Sequence, residues 1–129
     1  MSTTPQEFDW VKARAACTAD TVFLQLAAGI EADINTRNAA SSETQFAAVL
    51  ATGGKLLVIG ETGQWARRER IRILPENGRI EVRDEARKFA ISAEVFLNDE
   101  GRCKLRLDDG KELEQWQFRR MVLESYLFT

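Results

Sequence analysis

The chain has 129 residues, a net charge of −2, 44% hydrophobic and 29% charged residues, two prolines and no histidine. That length suits one domain, residues 1–129, with a core large enough to fold without staples, and the composition excludes a disordered chain. With no histidine there is no Ser-His-Asp triad, no Cys-His dyad, no His-ligated zinc and no histidine acid–base catalyst.

The near-balance of charge gives no overall drive onto nucleic acid or an anionic membrane. Thirteen of the eighteen cations are arginine, a planar fork suited to anions and also common on folded surfaces. Cys17 and Cys103 are the two thiols. No apolar run after Met1 resembles a signal peptide, and none approaches the ~18 residues of a membrane span. These features predict a cytoplasmic protein whose two cysteines are reduced and buried as small hydrophobes.

Thr4-Pro5-Gln6-Glu7 reads as a helix start, with Thr4 and Glu7 forming a capping box and Pro5 at the first helical position. Phe8, Val11 and Ala15 share one face, and this helix is expected to end near Cys17. Thr18 or Asp20 then caps a second helix carrying Val22, Phe23, Leu26, Ala27, Ile30 and Ile34 at helical spacing. Asn35–Glu43 is polar and reads as a loop.

From Thr44 the period becomes two. Gly53-Gly54 predicts a two-residue hairpin that pairs Leu50 with Leu57 and Ala48 with Ile59. Both faces of this hairpin are apolar, so cover on both sides is expected. A strand near Trp65–Leu74 follows. Pro75 favours a four-residue turn over Pro75–Gly78, although an Asn77-Gly78 loop is the alternative. Ile80 and Val82 continue the buried face. Phe89 to Leu97 and Cys103 to Leu107 alternate cleanly, and an Asp99-Glu100-Gly101 loop sets Leu97 opposite Cys103, Val95 opposite Leu105 and Ala93 opposite Leu107. Lys111–Trp116 reads as either a last strand or a helix start. The end of the chain is a helix with one stripe of Phe118, Met121, Val122 and Tyr126, and a second side of Trp116, Leu123 and Leu127. The fold class is therefore α+β: two N-terminal helices, an antiparallel β-meander of about six strands, and a C-terminal helix packed on the sheet.

Motif chemistry is sparse. The glycines at 53, 54, 60 and 63 match neither phosphate-loop spacing, and Asp99-Glu100 and Asp108-Asp109 lack the spacing of a calcium loop. No catalytic, cofactor or metal residue is assigned, and no cofactor is expected. Glu94, in an apolar strand, is expected to be exposed or paired with arginine. Arg68, Arg70 and Arg72 share a strand face, and either turn register sets one of them opposite Arg83, which makes these four the candidate anion site. The competing reading is a solvent face laced with ion pairs.

Three functions stay open. The leading one is a non-enzymatic protein acting by association as a homodimer, with Trp116, Leu123 and Leu127 as the surface and the greasy first hairpin in support. The second is a carrier of a small apolar molecule or lipid, with Trp65, Phe96, Trp116 and Phe118 lining a pocket between curled sheet and helix. The third is an anion- or nucleic-acid-binding module on the arginine strand, with nucleic acid the less expected ligand. An enzyme using carboxylates and arginines is ranked last because histidine is missing.

Overall fold

From Gln45 onward each strand turns back beside the one before it, so the chain builds its sheet strictly in order. The structure, a computed structural model, describes residues 7–40, 45–51, 53–61, 70–84 and 89–128. The elements are α1 (Trp10–Ala16), α2 (Ala19–Ala40), β1 (Gln45–Ala51), β2 (Lys55–Glu61), β3 (Arg70–Glu76), β4 (Arg79–Asp84), β5 (Phe89–Leu97), β6 (Cys103–Leu107), β7 (Glu112–Leu113) and α3 (Gln115–Leu127). The seven strands form one antiparallel sheet in the order β1-β2-β3-β4-β5-β6-β7. The chain is an α+β protein. The expected six strands become seven because Lys111–Trp116 is both things in turn, a two-residue strand and then a helix start.

The start of α1 expected at Thr4 and Pro5 lies outside the described residues. The described helix begins at Trp10, where the Asp9 carboxylate accepts from Lys12 N–H at 3.0 Å. Its apolar residues do not enter the core: Phe8, Trp10 and Val11 are all exposed. Thr18 caps α2, its hydroxyl accepting from Thr21 N–H at 3.2 Å. The helix then runs on through the segment expected to be a loop, as far as Ala40. Tertiary bonds override the weak local propensity there. Arg37 Nε donates to the Leu127 carbonyl at 2.7 Å, and the Asn38 amide bonds both backbone groups of Phe46 at 2.9 Å.

The apolar stripe of α2 (Val22, Phe23, Leu26, Ile30, Ile34) meets Leu56, Ile71, Ile73, Ile80, Val82, Ala93 and Leu105 in one core. α2 touches β1, β3, β4 and β5 as it crosses the sheet, and α3 lies beside it against β6 and β7. Asp84 is the one buried charged group among the described residues. It follows Val82 by two residues, so it shares that strand's inner face.

Cys17 and Cys103 are joined in a disulfide, which corrects the expectation of two reduced thiols. Cys17 ends α1 and Cys103 opens β6, and the packing of α2 across the sheet brings together residues 86 apart in sequence. No helix among the described residues is long and apolar enough to cross a membrane.

Two hairpin registers differ from expectation. β1 pairs β2 with Leu50 opposite Leu56 and Ala51 opposite Lys55, so the expected Leu50–Leu57 pairing is displaced by one. β3 pairs β4 through the short Asn77-Gly78 loop, with Glu76 opposite Arg79. Both loop residues have positive φ, +53° and +74°, the conformation of the tightest hairpin turn. Pro75 is therefore a strand residue rather than a turn corner. It falls at a non-hydrogen-bonded position opposite Ile80, and β2 pairing has already ended at Ile73, so its missing N–H is not needed. The β5–β6 hairpin has the expected register. Asn98 shapes its turn, accepting from Glu100 N–H at 3.0 Å and Arg102 N–H at 2.9 Å.

Candidate association surface

With helices on one side, the opposite side of the sheet faces solvent, and its side chains sort into rows across the strands. One row runs Glu76, Arg79, Glu94, Arg106, Glu112, each directly opposite the next. Charge alternates at every step, which is favourable for cross-strand neighbours. Arg106 Nη2 donates to Glu94 Oε1 at 2.6 Å, and its guanidinium lies 4.2 Å from the Phe96 ring centroid. The Arg106 hydrogen bond, then its charge, holds the Glu94 carboxyl below its ordinary 4.5. Arg79 reaches Ser92 Oγ at 2.6 Å and Asp108 at 2.8 Å. The Ser92 hydroxyl in turn donates to Glu81 at 2.8 Å.

The four candidate anion-site arginines are only partly brought together. Arg68 lies outside the described residues, and the backbone of Arg70 pairs with Ile59. Arg72 and Arg83 do face each other. Counting from the turn, theirs is a hydrogen-bonded pair, whose side chains stand farther apart than those of the alternate pairs. Asp84, next to Arg83 in sequence, is buried at the end of β4. The nearest row holds Glu81, already bonded to Ser92.

The candidate pocket residues diverge. Trp65 lies outside the described residues. Phe118 is in the core, Phe96 is half-buried on the solvent side of the sheet, and Trp116 is exposed on α3. The space between sheet and α2 is filled by core side chains. Two of the described hollows are open grooves along α3. One of about 660 Å³ passes Trp116, Arg120, Met121 and Phe128, and one of about 430 Å³ lies between α2 and α3 beside Arg37 and Leu123. Within them Arg119 pairs with Asp33 at 2.8 Å and Arg120 with Glu124. No three acidic or thiol groups gather as a metal site among the described residues.

Of the expected association residues, Trp116 is 53% exposed, but Leu123 is 2% and Leu127 5% exposed. Both leucines pack in the protomer's own core, because α3 sits in the angle between α2 and the sheet and is covered on two sides. Met121, assigned to the inner stripe, is exposed instead. The surplus apolar surface lies elsewhere. Phe46 on β1 is buried, yet Val49 is 46% and Leu50 58% exposed, so the cover expected on both faces of the first hairpin is absent at its β1 side.

β1 is also an outer strand of the sheet. Its sequence, Gln45-Phe46-Ala47-Ala48-Val49-Leu50-Ala51, has no charge and no proline. Natural edges are commonly blunted by charge, proline, a bulge or brevity. The opposite edge follows that rule, being two residues long and carrying Glu112. β1 pairs β2 over seven consecutive residues without a bulge. Hydrophobic alternation made this strand legible in the sequence, but its place at an edge is a property of the whole topology.

Comparison with known protein families, curated protein sequences and solved structures returns no match.

Proposed function

We propose that this chain is a non-enzymatic protein that acts by association, pairing with a second copy of itself. The observation that carries the reading is β1, an uncharged outer strand with Val49 and Leu50 open to water. Exposed apolar side chains on an uncharged outer strand favour protein contact over catalysis. In the described grooves Arg119 is paired with Asp33, Arg120 with Glu124, and Arg37 is held by the Leu127 carbonyl.

The expected location changes with the cysteines. A structural disulfide persists in oxidising surroundings and is rare in a reducing cytosol. The reading therefore carries an oxidising compartment in place of the cytoplasm. Protein trapped with an alkylating reagent as its source cells are opened is expected to carry no alkylated cysteine, and two alkylated cysteines would restore the cytoplasmic expectation.

Light scattering coupled to size-exclusion chromatography tests the association itself. A particle of twice the 14.6 kDa chain mass is expected. A monomer at every concentration tested would reject the reading.

A further inference from the structure

Asn38 reveals which way the backbone of β1 points. Its side-chain amide donates to the Phe46 carbonyl and accepts from the Phe46 N–H, both at 2.9 Å. Phe46 therefore turns both backbone groups away from β2, and its pairing with Gly60 is a non-hydrogen-bonded one. Alternation along an antiparallel ladder gives Ala48 and Leu50 the same orientation. Their N–H and C=O groups face outward from the sheet, with no partner among the described residues.

Resting on the association reading above, we infer that two copies join edge to edge through β1, antiparallel about a two-fold axis at Val49. The open groups are their own complement. Centred on Val49, the register sets Ala48 of each copy opposite Leu50 of the other, and each such pair exchanges two hydrogen bonds, four in all. The two Val49 side chains then meet at a non-hydrogen-bonded position, where side chains approach most closely. This places the exposed valines against each other.

The geometry also selects the occupant. In an isologous contact every residue meets the same surface of its copy, so any charge on the strand would face its like near the axis. Gln45–Ala51 carries none. The Asn38 amide already fills the backbone groups of Phe46 and so bounds the new ladder, confining it to Ala48 and Leu50. Among the described residues, the end of α2 beside this edge is Ala39-Ala40, both small and exposed. The product is a continuous sheet of twice seven strands, with both β1 edges removed.

Val49→Lys tests the contact, since Val49 faces solvent in the protomer and a lysine there has room. The variant is expected to be a folded monomer by circular dichroism and light scattering, because two ammonium groups would meet at the axis. In the unmodified protein, exchange of the Ala48 and Leu50 amides is expected to slow roughly tenfold or more between dilute and concentrated samples. That second measurement decides the matter even if the variant fails to fold. A dimer that survives Val49→Lys, with Ala48 and Leu50 amides exchanging alike at both concentrations, would overturn the edge contact and leave association standing. A monomeric unmodified protein would overturn both.

Discussion

Gly101 joins two constraints in one residue. Its φ is +80°, and a Cβ built there would lie 2.5 Å from Cζ of the Phe8 ring. Gly101→Val should therefore destabilise the protein by at least ~1 kcal/mol from backbone strain alone, with displacement of Phe8 adding to it. A denaturant midpoint equal to that of the unmodified protein would refute the turn geometry. The conformation was legible, because a glycine closing a three-residue loop between alternating strands has few other roles. The Phe8 contact was not, since it joins positions that only the fold brings together. Leu123 makes the opposite case. Its helical position fits either an outer or an inner surface, and only the placement of α2 decides. At 2% exposure, Leu123→Asp buries a charge and should cost about 3–5 kcal/mol, abolishing the folded circular dichroism signal rather than giving a folded monomer.

At the scale of elements, charge and covalent chemistry tie strands to helices. Glu114 precedes α3, and its N–H donates to the Gln117 side chain at 2.9 Å. Its carboxylate meets Lys104 at 2.9 Å. That hydrogen bond and charge lower the Glu114 pKa below 4.5, as Arg106 does for Glu94. Carboxyls with folded pKa values below their unfolded ones stabilise the protein above the unfolded pKa, and the gain is lost as pH falls through the folded pKa. Melting temperatures of the unmodified protein and Glu94→Gln should thus differ near neutrality and converge as the pH falls below the ordinary carboxylate range. A constant gap across that range would contradict the pairing.

The disulfide links the end of α1 to the start of β6. Replacing both Cys17 and Cys103 with serine should lower stability by about 2–5 kcal/mol, as expected for a long closed loop. Denaturation with and without reductant checks this, and identical midpoints would rule it out. Two cysteines 86 residues apart gave no hint of pairing, because their approach depends on α2 crossing the sheet. The β5–β6 hairpin, by contrast, was legible in full, since its turn chemistry and side-chain alternation agree. Where turn signals conflicted, as between Pro75 and Asn77-Gly78, the positive-φ pair prevailed and proline was accommodated at the end of a neighbouring strand.

For the whole molecule, the meander and its terminal helices followed from local signals, because each strand pairs with the next. Which apolar residues would lack cover depended on how α2 and α3 share one face of seven strands. The protomer seals its core with α2 and α3 and leaves β1 open at Ala48, Val49 and Leu50. Introducing a thiol by Val49→Cys is the most direct test. Non-hydrogen-bonded partners have Cα atoms about 4.5 Å apart, within the range a disulfide spans, and the native cysteines are already paired with each other. Mild oxidation should convert the variant to a covalent dimer on a non-reducing gel, reversed by reductant. A monomer band whose introduced thiol remains open to alkylation would contradict edge-to-edge pairing through β1.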